Sequence, residues 1–154
     1  MSDLSRGSKY EDRIRRFLES NGYITEKAPN VVVWIRKPGQ QPFPISKKRD
    51  FFGCIDVIGI HHSRDPVLAQ VCTAKNRAAR RRKVEEGLQK ILSPVLHSDN
   101  NDILLFTWGK WKGRGYGFIV ERMDRTGSIG GKPTWDEYWS PLVESGFLPS
   151  KEAR

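Results

Sequence analysis

The chain predicts an α/β fold, a mixed central sheet with helices packed on it. Three observations lead there. Residues 31–35, Val-Val-Val-Trp-Ile, are strongly β-prone, and residues 51–61 are apolar almost throughout. Helical periodicity is confined to separate stretches, so strands and helices alternate along the chain. The strand–helix–strand run across residues 67–108 has the pattern of a right-handed parallel crossover.

Taken in order, residues 8–21 read as a helix. Ser8 can cap it, and Glu11 follows at capping-box spacing. Tyr10, Ile14, Phe17 and Leu18 form one apolar stripe, and Asn21-Gly22 ends the helix. Residues 23–27 and 30–37 read as extended. Residues 38–49 read as a loop, because Pro38, Gly39, Pro42 and Pro44 oppose regular structure. A strand over 51–61 is interrupted only by Asp56, and a turn at 63–66 leads to a strand over 67–73. Asn76 can cap a helix reaching about Leu92, with Val84, Leu88, Ile91 and Leu92 on one face. Strands at 102–108 and 115–123 are joined by a loop at 109–114. Residues 126–132 are Gly-rich and polar, and a short helix over 134–145 closes the chain. The order is α-β-β-β-α-β-β-α in a single domain over residues 1–154, with no internal repeat.

The 154 residues and 17.7 kDa suit one domain with a real core. The formal net charge is +9, and residues 1–50 carry +5, 51–100 carry +3 and 101–154 carry +1. The excess therefore lies within folded sequence. A polyanion, with nucleic acid first, is the natural partner, and a basic solubility surface is the alternative. Cys54 and Cys72 are too few for a secreted disulfide framework, and the N-terminus has no apolar signal region. Apolar runs of about five residues fall far short of the roughly 20 that span a membrane. The chain reads as cytoplasmic, in the host cytoplasm if viral. His61, His62, His97 and the two cysteines lack zinc-ligand spacing. Residues 127–132 lack Walker spacing, and Pro133 stands where a Ser or Thr is needed.

Three residues carry candidate chemistry. Asp56 interrupts an otherwise apolar strand, and a buried carboxylate costs several kcal/mol unless it is paired or bound to metal. Metal ligation and pairing with an arginine or backbone amides are both open. Gln70 lies on the next strand, where the two residues can sit side by side, and carboxylate and amide oxygens suit Mg²⁺. A hydrogen bond to a sheet neighbour is the alternative. Glu11 borders the buried helical stripe, with capping as its other role.

These pieces, in this order, resemble the PD-(D/E)XK nuclease superfamily. The likeness is closest to small archaeal-type Holliday junction resolvases and phage-type endonucleases. The residues that carry it are Gly7-Ser8-Lys9-Tyr10-Glu11-Asp12-Arg13-Ile14, then Asn21-Gly22-Tyr23, then residues 49–59 around Asp56, then Leu68-Ala69-Gln70-Val71-Cys72 at the (D/E)-x-K element. They span about residues 7–107, leaving 108–154 as a C-terminal strand-and-helix extension. The resemblance implies a restriction-endonuclease-like αβββαβ core and a Mg²⁺- or Mn²⁺-dependent DNA endonuclease, acting on branched DNA such as Holliday junctions in recombination. It implies Asp56 as main metal ligand, Gln70 in the place usually held by Glu, Glu11 in support and Asp50 as a possible further ligand. It implies no small-molecule cofactor and a homodimer, since two symmetric cuts need two sites. The sequence departs at Cys72, where the family has the lysine that orients the attacking water and offsets phosphorane charge. Lys75, three residues on, is the candidate replacement. Gln70 adds no charge, so metal affinity is expected to depend on the DNA phosphate. The alternative is an inactive nucleic-acid-binding module that keeps the fold.

Three basic clusters are candidate DNA contacts. Arg77, Arg80, Arg81, Arg82 and Lys83 open the second helix, where like charges at i,i+4 and the helix dipole both oppose them unless a partner neutralises them. Lys47, Lys48 and Arg49 adjoin the candidate site. Lys110, Lys112 and Arg114 surround Trp111, an aromatic able to stack on a base or wedge a junction, or to pack against the closing helix. Trp135, Tyr138 and Trp139 read as core or a dimer seam.

Overall fold

The computed structural model describes residues 3–91, 101–113, 115–124 and 134–137. Helix α1 (Asp3–Ser20) begins ahead of the expected start, which makes Ser8 an interior residue and not a cap. Ser8 Oγ instead accepts from Lys27 Nζ at 2.9 Å, and Glu11 has no capping duty. The stripe is as expected: Ile14, Phe17 and Leu18 are buried. Gly22, at φ +86°, ends the helix, with its N–H donating to Glu19 O and that of Tyr23 to Leu18 O.

The strands are β1 (Ile24–Lys27), β2 (Asn30–Ile35), β3 (Phe43–Lys48), β4 (Val57–Ile60), β5 (Val67–Thr73), β6 (Asp102–Trp111), β7 (Gly115–Asp124) and β8 (Thr134–Glu137). A 3₁₀ turn (Ala74–Asn76) and helix α2 (Arg77–Ile91) separate β5 from β6. A mixed six-stranded sheet runs β1-β4-β5-β6-β7-β8, and only β5 and β6, the pair flanking α2, run parallel. Residue alternation sends Val67, Ala69, Val71, Leu104 and Phe106 to one face, where Ile14, Phe17 and Leu18 of α1 cover them. Leu68, Ile103 and Met123 go to the other, against Val84 of α2 and Cys54 and Ile55. The molecule is thus α/β. Among the described residues no helix is long and apolar enough to cross a membrane.

Four expectations change. Residues 38–49 are not all loop: β3 pairs with β2 in a separate two-stranded ribbon. Both strands of such a ribbon have an open edge, so Pro44, opposite Trp34, forfeits no ladder bond. The strand expected over 51–61 is only Val57–Ile60. Residues 51–55 form a tight turn closed by a Phe51–Ile55 bridge, with Phe52 (φ +54°) and Gly53 (φ +74°) left-handed. Cys54 and Ile55 are apolar because they are buried, not because they are strand. The loop at 109–114 is shorter, since β6 continues through Trp111. Residues 134–137, expected to open a helix, form β8 on the edge of the sheet, where Trp135 packs against the α2-side core. The rest of that expected helix, with Tyr138 and Trp139, lies outside the described residues, as do residues 126–132.

A candidate site at the end of β4 and β5

Asp56 stands just before β4, one step beyond the Val57–Ala69 pair, and so faces Gln70. Its backbone is held on both sides: its N–H donates to Ala69 O at 2.9 Å and its carbonyl accepts from Ala28 at 2.8 Å. β5 runs on past the start of β4, and the Asp56 side chain takes the place of the missing strand. Oδ2 accepts the Val71 N–H at 2.8 Å and also Gln70 Nε2. Gln70 Nε2 also donates to Val71 O at 3.2 Å, while the buried Gln70 Oε1 accepts no hydrogen bond among the described residues.

The sequence placed one member of this group beside the site, as a DNA contact, and not within it. Lys48, at the end of β3, donates to both Glu11 Oε1 and Asp56 Oδ1. Three elements therefore meet on one ammonium: α1, β3 and the β4–β5 end. Asp50 Oδ1 lies 3.6 Å from the same ammonium, and Asp50 Oδ2 pairs with Lys83. Three carboxylates and two ammoniums leave a formal charge of −1. The ordering signal was faint: Lys48 is one of three adjacent cations, and only its pairing with Asn30 turns it inward.

Burial, the largest influence, raises the Asp56 pKa above its ordinary 3.8 against the opposing Lys48 charge and hydrogen bonds. Burial also leads at Glu11, which ends above 4.5. Burial alone pulls Lys48 down, but Asp56 and Glu11 outweigh it and leave the ammonium above 10.5. The directions at Asp56 and Lys48 reflect depth: the carboxylate is almost fully enclosed, while the lysine keeps partial contact with water. Cys72 does not supply a cation, since burial pushes its thiol up and Sγ lies 3.5 Å from Thr107 Oγ1. Lys75 is exposed on the 3₁₀ turn, and the cation beside Asp56 is Lys48.

The basic clusters divide into internal and external members. Arg77 and Arg81 both fork onto the buried Glu121 of β7, with each Nε 3.1 Å from Oε2. The partner that relieves their i,i+4 repulsion is therefore inside the protein. Glu121 gave no signal in the sequence, because its pairing spans about 40 residues. Arg80 and Arg82 pair with no carboxylate among the described residues, and Lys47 and Arg49 are exposed. Lys110 lies 5.7 Å from the Tyr116 ring centroid and Lys112 is exposed, while Arg114 lies outside the described residues. Trp111 is pinned: Nε1 donates to Gly117 O at 3.0 Å and the Arg77 guanidinium lies 5.5 Å from its ring centroid.

Among the described residues no three His, Cys, Asp or Glu side chains are grouped to hold a metal ion. The groups that converge are two carboxylates and the Gln70 amide, which presents its nitrogen to Asp56. No family model, curated protein or solved structure matches the chain.

Proposed function

We propose that the protein is a divalent-metal-dependent DNA endonuclease of the PD-(D/E)XK type. The convergence of Glu11, Asp56 and Gln70 on the end of β4 and β5, with Gln70 Oε1 unpartnered, carries this reading. With the β2–β3 ribbon set aside, the succession α1, β1, β4, β5, α2, β6 matches the expected αβββαβ order. The donor set fits a hard cation: Asp56, Glu11 and Gln70 would hold Mg²⁺ or Mn²⁺ through oxygen. Such an ion, when bound, supplies a more acidic water and offsets charge on the phosphate oxygens.

The protein's own residues do the rest. Lys48 supplies the positive charge that Cys72 lacks, within reach of both carboxylates, and can orient a water or a phosphate oxygen. The Val71 N–H fixes one Asp56 oxygen and so aims the other. Exposed Lys47, Arg49 and Arg82, with half-exposed Arg80, offer phosphate contacts.

One observation favours a second reading, a non-catalytic DNA-binding module: Lys48 and Lys83 already neutralise the carboxylates. The test offers linear, flapped, four-way and single-stranded DNA with Mg²⁺ or Mn²⁺ to wild type, Asp56→Ala and Gln70→Ala. Metal-dependent cleavage lost in Asp56→Ala is expected. Cleavage that survives Asp56→Ala removes the site, and binding without cleavage of any substrate establishes the module.

A further inference from the structure

The β2–β3 ribbon is a separate two-stranded sheet with no ladder to the six-stranded sheet among the described residues, rooted at the Arg49 N–H to Pro29 O bond of 3.0 Å and at Lys48. Such a ribbon normally hides one apolar face. Here Val31, Ile35, Phe43 and Ile45 are half-sheltered on one side. Register places Asn30, Val32, Trp34, Pro44, Ser46 and Lys48 on the other. On that side Trp34 is 67% exposed and Val32 65%. Val32 and Trp34, two positions apart on one face, make an exposed apolar patch of the kind that marks an interaction surface.

Two further facts identify the partner. Residues 30–49 carry five cations and no carboxylate, and only Lys48 among them is consumed by the acidic site. The exposed apolar face is also the face that delivers Lys48 to Asp56. Trp34 lies four strand positions from the Lys48 row, about 13 Å along the ribbon. An aromatic surface flanked by cations, a few nucleotides from the acid pair, suits unpaired bases joined by phosphates.

Resting on the endonuclease reading, we propose that this ribbon is the arm that selects DNA with unpaired bases. Trp34 stacks on an exposed base while Arg36 and Lys37, just past the end of β2, hold the flanking phosphates. The stacking role that the sequence suggested for Trp111 belongs to Trp34, since Trp111 is committed to Gly117 and Arg77.

Binding without metal, in EDTA, tests this by fluorescence anisotropy. The probes are single-stranded DNA, a four-way junction, a blunt duplex and single-stranded RNA, with wild type, Trp34→Ala and Trp34→Phe. Trp34 is exposed, so neither variant threatens folding. Trp34→Ala is expected to weaken binding to single-stranded DNA about tenfold while affinity for the duplex and for the fully paired four-way junction changes less than about twofold, and Trp34→Phe restores most of the loss. Arg36→Ala with Lys37→Ala should lower the salt slope on single-stranded DNA by about 0.7 per lost contact. Equal affinity of Trp34→Ala and wild type for every probe overturns the proposal, as does an equal loss on duplex or a preference for RNA. Binding with this Trp34 dependence but no cleavage in Mg²⁺ defeats the nuclease reading and upholds the arm. Asp56-dependent cleavage with no Trp34 effect on binding does the reverse.

Discussion

Lys48 donates to Asp56 Oδ1 while the Val71 N–H donates to Asp56 Oδ2 at 2.8 Å, so one carboxylate joins the ribbon to the main sheet. The ammonium also reaches Glu11 of α1. The ribbon is not an appendage: its last residue completes the candidate site.

If Lys48 is the working lysine, its loss is felt in the chemical step. Lys48→Ala should lower kcat on a cleaved DNA by about 10²–10³-fold, the scale of a preorganised charge beside the reacting phosphate, while Lys75→Ala stays within about threefold. Rates under saturating DNA separate this from weakened binding. The opposite ranking assigns the role to Lys75.

The raised pKa of Asp56 makes a signed prediction about stability. Burial holds the proton on the folded-state carboxyl more tightly than on the unfolded one. The folded state is therefore most favoured where Asp56 is protonated, and that advantage is lost as pH rises from 3.8 through the higher folded value, then levels off. The amide introduced by Asp56→Asn cannot ionise. Urea denaturation from pH 3.5 upward should show this variant gaining on wild type through the same window, by about 1.4 kcal/mol for each tenfold difference in proton affinity. The reverse slope means that the Lys48 pair outweighs burial.

Glu121 is 1% exposed and carries both Arg77 and Arg81. Glu121→Gln leaves two partly exposed guanidiniums facing a neutral amide and should cost about 1.5–3 kcal/mol. Arg82→Ala, on the exposed side of α2, should leave the denaturation midpoint nearly unchanged and weaken DNA binding instead. If Arg77→Ala and Arg81→Ala also spare stability, the triad is not the internal clasp described above.

The pattern of what was legible follows from range. The α1 stripe and the β5 strand could be read because their signals are local periodicities, and Asp56 stood out as a charge among Phe51, Phe52, Ile55 and Val57. The Asp56–Gln70 pairing was legible because the turn between their strands is short. Lys48 was hidden because its direction depends on a ribbon register that Pro42 and Pro44 disguise as loop. Glu121 was hidden because its partners lie on another element about 40 residues away. The Trp135 strand was misread as helix because i, i+3, i+4 spacing says nothing of the neighbouring edge of β7, which offers it a ladder.

Gly87 provides a test of how closely α2 sits on the 51–55 turn. A Cβ placed there meets Cys54 Sγ at 2.8 Å and Cys54 Cβ at 3.1 Å. Cys54 is fully buried and cannot swing away. Gly87→Ala should therefore destabilise by about 1–3 kcal/mol despite the better helix propensity of alanine. In a Cys54→Ala background the 2.8 Å contact is gone while the 3.1 Å contact to the residue-54 Cβ stays, so the cost of the same change should shrink towards zero as the helix propensity of alanine offsets what remains. Urea midpoints of the four proteins close the cycle. An identical Gly87→Ala effect in both backgrounds means that α2 does not rest on Cys54, and with it goes the packing that holds the turn between Asp50 and Asp56.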